Sequence, residues 1–316
     1  MFWKLLSLFL ITTVCTLFIT DYFIRKFKSR GYTVLDMYKR PKRKVANMGG
    51  LAIICGLMIA LVFCQIFVDE INLMKLLVFY FVVLLFGIFG LVDDLIVLGR
   101  KIKIFAPYFM ALPIALLNVD TNVSLILVTI ELGLVFSYLI APIYVMVTSN
   151  LINMHSGFNG LASGLSLILL GFIGGKMIIR GQIDALFYIV PIFAATLAFY
   201  WFEKYESKIF WGNTGSLMLG AAIGGSLVLF DMETFGVIIL LPHIINFIMW
   251  VYWCFRMKKH PHVKFAAVRK DGTIDPPNGL TIKYLVTKMF KMNEQHATWV
   301  CYGVTMVFGV LGLTLF

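Results

Sequence analysis

The chain has 316 residues, 60% of them hydrophobic and 14% charged, with a mean hydropathy of +0.92 and a formal net charge of +11. So much apolar surface has no use in water, so this composition excludes a soluble globular protein and makes the bilayer the solvent. The excess of cations does not mark a nucleic-acid binder, because no soluble module carries them, and no nucleic acid is expected as a partner.

Apolar runs near the length that crosses a hydrocarbon core fall at 2–22, 46–68, 73–92, 104–118, 132–149, 160–180, 185–202, 214–230, 235–255 and 296–316. They predict an all-α polytopic membrane protein of about ten transmembrane helices, one integral-membrane domain over 1–316. The first run lacks the basic start and small-residue cleavage site of a signal peptide and is expected to be retained. Lysine and arginine concentrate in 25–44, 100–103, 204–208 and 256–291, which hold 23 of the 27 basic residues. These are alternate loops of the ten-span reading, so the positive-inside rule puts them in the cytoplasm and both termini on the other side. Topology and contact with anionic lipid explain most of this charge. The segment TNVSLILVTIE (121–131) is too short to cross and rich in β-branched residues, which predicts a small extracytoplasmic hairpin. Cys15, Cys55, Cys64, Cys254 and Cys301 lie within or at the edge of apolar runs, without metal-ligand spacing, and read as packing residues.

Four polar clusters share the cytoplasmic side of this topology. GLVDDL closes the third run with Asp93 and Asp94, and NLINMHSGFNGLASG (150–164) separates the fifth from the sixth. FWGNTGSL (210–217) opens the eighth, and HPHVKF (260–265) lies in the longest cytoplasmic loop, 256–295, the expected substrate-binding loop. Unpaired polar groups are costly where water is scarce, so such residues tend to face a cavity or a site. Asn150 and Asn153, three apart, put both amides on one face of a helix end. Gly157, Gly160 and Gly164 let the backbone turn or approach a ligand.

Each cluster also has a plain structural reading. Adjacent acids at a helix end can simply face solvent, although two carboxylates beside a basic loop also suit Mg²⁺ with a phosphorylated substrate. Lys103 is either an interfacial anchor or a phosphate contact. Asn213 can cap the eighth helix, or offer its amide oxygen to a metal at a helix start that favours an anion. His260 and His262 have the spacing of a ligand pair, but Pro261 and the nearby lysines argue for phosphate or sugar contact over zinc. Phe210 and Trp211 read as interfacial aromatics, and a ring there can also stack on a base.

Taken together, GLVDDL, NLINMHSGFNGL, FWGNTGSL, the HPHVKF loop and the VANMGGLAI entry to the second run (45–53) occur in the order of a known family. Over nearly its full length the chain resembles the polyprenyl-phosphate N-acetylhexosamine-1-phosphate transferases. Its N-x-x-N-x-x-x-G-x-N-G pattern is similar to the dolichyl-phosphate GlcNAc-1-phosphate transferases of eukaryotes and archaea. The bacterial muramoyl-pentapeptide branch has aspartates where Ser156 and Asn159 stand. The resemblance implies transfer of GlcNAc-1-phosphate from UDP-GlcNAc to dolichyl or polyprenyl phosphate, with Mg²⁺ as cofactor (Mn²⁺ as the alternative) and release of UMP. It implies that Asp93 and Asp94 organise the metal and the lipid phosphate, that Lys103 contacts phosphate, and that Asn153 and the residue at Asn213 ligate the metal. It further implies that Asn159 reads uracil, that Gly157 and Phe210 flank the uracil slot, and that His260, His262 and Lys264 belong to the loop that grips the pyrophosphate and sugar, with Asn150 as a further substrate contact.

The family commonly has aspartate where this chain has Asn213. Loss of that charge predicts weaker metal binding, with Asp93, Asp94 and the substrate pyrophosphate supplying the negative charge, or a weakened enzyme. The expected partners are UDP-GlcNAc, the lipid phosphate, the bilayer and, as a candidate assembly, a second copy in a homodimer. An archaeal cell membrane is favoured over an endoplasmic reticulum membrane, with the active site cytoplasmic. Alternatives are another UDP-N-acetylhexosamine donor, a secondary transporter, or a CDP-alcohol phosphotransferase. Against the transporter, the clusters gather at one interface and not at the midplane, with no repeated halves; the spaced aspartates of the CDP-alcohol enzymes are missing.

Overall fold

The computed structural model describes residues 1–67, 70–117, 119–124, 129–256 and 265–316. Among these, eight helices are long and apolar enough to cross a membrane, or nine when a bent pair is taken as one span. In chain order they begin with α1 (Phe2–Arg30), α2 (Gly50–Phe67) and α3 (Glu70–Ile96). A shorter α4 (Arg100–Ala111) precedes α5 (Gly133–Met154), α6 (Leu161–Ile179), α7 (Leu186–Glu203) and α8 (Gly212–Leu229). Then come α9 (Glu233–Ile239), α10 (Leu241–Arg256), α11 (Ile282–Phe290) and α12 (Glu294–Leu315). The chain is an all-α polytopic membrane protein.

The expected crossing at 104–118 is not a continuous α-helix. Pro107 lies inside α4, and at Pro113 the chain passes into a 3-10 segment, Leu112–Leu117. Each proline removes a backbone donor, and the tighter 3-10 turn absorbs the break. At 1.5 and 2.0 Å rise per residue, Arg100–Leu117 still reaches about 30 Å, the thickness of a bilayer core. The expected run 235–255 is likewise broken, with α9 and α10 meeting at 63°.

The axis of the bundle is α8, almost every residue of which is buried. It packs against α3 on one side and α5 on the other. Small residues allow this, as in other tightly packed membrane helices: a Cβ added at Gly220 would lie 2.4 Å from the Ser149 Cα. Ser149 Oγ donates across that contact to the Leu217 carbonyl (2.9 Å). Both neighbours run antiparallel to α8, so the ends of α3 and α5 converge on its start.

Among the described residues three small antiparallel strand pairs complete the fold. Strands β1 (Thr33–Asp36) and β2 (Arg43–Ala46) pair between α1 and α2, with Asp36 opposite Arg43. Ala46 also bridges Ile209, which ties the hairpin to the segment before α8. Strands β3 (Asn122–Ser124) and β4 (Thr129–Glu131) form the hairpin expected within 121–131. Strands β5 (Ala267–Val268) and β6 (Ile274–Asp275) lie in the loop after α10. A second hydrophobic cluster around Tyr38, Phe158, Leu161, Ile274 and Tyr284 joins that loop to the turn between β1 and β2 and to the start of α6.

Candidate active site

At the start of α8, Gly212 adopts φ +70° and the position before the helix is held by Trp211, which offers no side-chain cap. The orphan N–H groups of the first turn are met from another helix. Asp94, near the end of α3, accepts from the Asn213 and Thr214 backbone N–H groups (2.9 and 3.1 Å) and from Thr214 Oγ1 (2.9 Å). A carboxylate at a helix start satisfies free donors and complements the helix dipole. Its neighbour Asp93 is buried and accepts from the Leu98 N–H (2.8 Å), Lys103 Nζ (2.7 Å) and Asn213 Nδ2 (2.8 Å). Each carboxylate thus holds three donors, and with about four acceptor positions each has room for one more partner.

The end of α5 supplies the opposite corner. Asn153 Oδ1 accepts from Ser216 Oγ at 2.7 Å, one turn into α8. Asn150, expected beside it, instead donates to the Met146 carbonyl four residues back (2.9 Å), because inside a helix that acceptor is nearest. Beyond α5 the chain turns through His155, whose imidazole burial and the neighbouring His243 hold below its ordinary pKa and hence neutral. Gly157 follows at φ +104°, a conformation that favours glycine. A Cβ there would also lie 2.6 Å from Lys283 Nζ, which donates to the Ser156 carbonyl (2.6 Å). Burial pushes the Lys283 ammonium down to about 8.

Between these walls lies a cleft of about 310 Å³. Asp94, Asn153, Gly157, Phe210 and Asn213 line it, together with Ser216, Glu203 and Trp211. Asp93, Lys103, Asn150 and Asn159 are not among its lining residues. Asn159 is buried: its N–H donates to Glu294 Oε1 (2.6 Å) and its Oδ1 accepts from the Ser207 N–H (2.9 Å), which turns its Nδ2 away from Ser207. Phe210 is held by backbone bonds to Ala46 and Gly49 (2.9 and 2.8 Å). His260, His262 and Lys264 lie outside the described residues.

The charge pattern did not point to several residues of this site. Hairpin β1–β2, in a segment that reads as a basic loop, places Asp36 and Tyr38 on the cleft wall. Behind it, Lys39 pairs with Glu294 from α12, and Arg43 reaches Glu206 (2.5 Å) and the Ser207 carbonyl (3.3 Å). Glu203 is buried on the wall; its Oε1 accepts from the Trp211 N–H (3.0 Å), and the Ser163 side chain lies against the carboxylate. Asp36 and Glu206, the lone acids of segments 25–44 and 204–208, were the available signal.

Among the described residues no three His, Cys, Asp or Glu side chains gather as a metal cluster. The donors that line the cleft are oxygens, which fit a hard cation that keeps water and substrate phosphate in its shell. Asn213 is bonded to Asp93 through Nδ2, which leaves its amide oxygen on the other side of the group. The Asn153 amide oxygen holds one donor and retains an acceptor position. The residues fit Mg²⁺ with few protein ligands.

Comparison with known proteins is consistent with this geometry. The profile of glycosyl transferase family 4 matches residues 76–231, the stretch that carries Asp93, Asp94, Asn153 and Asn213. Over that stretch, just under half of its length, the chain is similar to glycosyl transferase family 4. A relative from Saccharolobus solfataricus, provisionally named a UDP-N-acetylglucosamine–dolichyl-phosphate N-acetylglucosaminephosphotransferase, is 29% identical over 304 residues, 94% of this chain and 92% of its own length. A relative of the same provisional name from Sulfolobus acidocaldarius is 28% identical over 315 residues, 95% of this chain and 92% of its own. A phospho-N-acetylmuramoyl-pentapeptide-transferase from Prochlorococcus marinus is 28% identical over 250 residues, 71% of this chain and 68% of its own. These similarities are to transferases, and the cleft of this membrane protein unites residues from motifs widely separated in sequence.

Proposed function

We propose that this membrane protein moves GlcNAc-1-phosphate from UDP-GlcNAc to dolichyl or another polyprenyl phosphate and releases UMP. The observation that carries the reading is the single cleft lined by Asp94, Asn153, Gly157, Phe210 and Asn213. The names of the archaeal relatives support the donor and the acceptor. Concentration of basic residues in the segments at the cleft end supports a cytoplasmic active site, and the archaeal relatives support a cell membrane.

In the proposed reaction an oxygen of the lipid phosphate attacks the sugar-bearing phosphorus of the donor. The bond between the two phosphates breaks, and the electron pair leaves with UMP. A phosphomonoester has a second pKa of about 6, so the attacking group is mostly dianionic at neutral pH. It needs positioning more than proton removal. Gly157 and Phe210 would flank the base, and the buried Glu203 carboxylate would accept from a donor hydroxyl or N–H. Bound with the pyrophosphate, Mg²⁺ would supply charge neutralisation for the leaving UMP, held by the amide oxygens of Asn153 and Asn213. Asp94 keeps the start of α8, and with it Asn213 and Ser216, in register. Asp93 holds Lys103 and the Asn213 amide.

The test is radiolabelled UDP-GlcNAc incubated with the purified protein, Mg²⁺ and dolichyl phosphate, beside a panel of other UDP-N-acetylhexosamines. A lipid-linked product from UDP-GlcNAc is expected. Folded protein that makes none from any donor would refute the reading, and product from a different donor would correct its sugar.

A further inference from the structure

A second cavity, of about 350 Å³, lies at the end of the bundle away from the cleft. It forms where the first turn of α1, the end of α2, the beginnings of α3 and α7 and the end of α8 meet, at the ends of helices long and apolar enough to cross a membrane. Its volume falls in the range of small-molecule sites, about 300–1,000 Å³.

The lining is unusual for that end of the molecule. Only four of the 27 lysines and arginines lie outside the four basic segments: Lys4, Lys75, Lys176 and Arg180. Two of the four, Lys4 and Lys75, line this one cavity. Arg180 is engaged by the Phe230 and Asp231 carbonyls at its edge (3.0 and 2.9 Å), and Lys176 is buried near the Phe235 ring. Lys4 donates to the Phe67 carbonyl (3.2 Å), and neither cavity lysine reaches a carboxylate among the described residues. The floor is apolar, with Tyr188 and Phe230 packed edge to face at 5.1 Å. Asp184 is also on the wall. The two lysines suit the phosphate of an anionic lipid, and the acid can accept from headgroup hydroxyls.

We propose that this cavity binds the phosphodiester headgroup of an anionic, hydroxyl-bearing membrane lipid. Lys4 and Lys75 contact the phosphate, Asp184 a headgroup hydroxyl, and the aromatic floor the first carbons of the chains. The site is separate from the transfer cleft and stands or falls independently of the substrate assigned there.

Native mass spectrometry of the full chain in detergent, titrated with dioleoylphosphatidylglycerol, dioleoylphosphatidylcholine or inorganic phosphate, tests this. One phosphatidylglycerol per chain is expected to be retained in preference to phosphatidylcholine, with no competition from millimolar inorganic phosphate. At about fivefold per lysine near a membrane surface, Lys4→Gln with Lys75→Gln should weaken retention about thirtyfold. Lys101→Gln with Lys288→Gln, exposed lysines away from this cavity, should leave it unchanged. Should the double variant unfold, Lys75→Gln alone, an exposed side chain, is expected to lose about fivefold. Equal retention by wild type and the folded variant, equal retention of both lipids, or displacement by free phosphate would each overturn the proposal.

Discussion

Replacing Asn213 with aspartate isolates what a neutral amide does at a position where the family resemblance implies a carboxylate. In this chain Asn213 Nδ2 donates to Asp93 Oδ2 at 2.8 Å, and Lys103 reaches the same oxygen at 2.7 Å. In Asn213→Asp an oxygen replaces the donor, so a hydrogen bond to a charged acceptor is lost, worth about 1.5–3 kcal/mol. Two carboxylates then stand in contact, and Lys103 offsets only part of their repulsion. Without divalent ions a net loss of about 3 kcal/mol is expected, or roughly 6–10 °C in melting temperature. The new carboxylate is also a better ligand for a hard cation than the amide. Mg²⁺ should therefore recover most of the lost melting temperature, and the Mg²⁺ concentration for half-maximal transfer should fall on the order of tenfold. Scanning fluorimetry in EDTA and across a Mg²⁺ series, paired with transfer rates, reads both effects. A variant as stable as wild type in EDTA, with unchanged Mg²⁺ dependence, would remove Asn213 from both the Asp93 contact and the metal.

Three further outcomes are expected. Lys283 has its pKa lowered by burial from 10.5 to about 8. The unfolded chain therefore binds the proton more tightly, and the burial penalty is full below pH 8 and relieved as pH rises toward 10.5. Relative to Lys283→Met, the wild type should gain stability between pH 8 and 10, on the order of 3 kcal/mol at most; a difference independent of pH in thermal melts would contradict this. Glu294→Gln leaves Lys39 with Asp36, at 3.5 Å, as its remaining carboxylate partner and weakens the bond from the Asn159 N–H, so a loss of about 2 kcal/mol is expected with a raised KM for the nucleotide sugar. Unchanged melting temperature and KM would exclude that role. Gly157→Ala, forced to φ +104° with its Cβ 2.6 Å from Lys283 Nζ, should lose at least tenfold in kcat/KM. Wild-type kinetics would mean that this turn can move.

Much of the fold was legible because length and apolarity report directly on what a bilayer requires. The ten apolar runs reappear as eight long helices, a bent pair and a traverse of mixed helix type. Only the prolines at 107 and 113 warned that the fourth run would not be one α-helix. The cleft residues stood out for the complementary reason: Asn153, Gly157 and Asn213 are polar or small where an apolar run would be cheaper to bury. Hairpin β1–β2 was missed because its charge was read for topology alone. What made it part of the site is a set of pairings across great sequence distance, Lys39 with Glu294 and Ala46 with Ile209, on which no periodicity reports.

Asp94 shows most clearly why local rules stop short. Helix-start rules examine the residue just before the first turn, and there they find Trp211, which has no cap to offer. The cap comes from a carboxylate 119 residues earlier in the chain, brought there because α3 packs antiparallel to α8. Once it is in place, a solvent-facing acid and a site acid cease to be competing readings of Asp94. The carboxylate that satisfies the first turn of α8 also fixes the direction of Asn213 and Ser216, and Ser216 in turn holds the Asn153 amide. Its removal should disturb the helix start and every oxygen donor proposed for the metal together, so Asp94→Asn is expected to lower melting temperature and transfer rate in parallel, with added Mg²⁺ restoring neither in full.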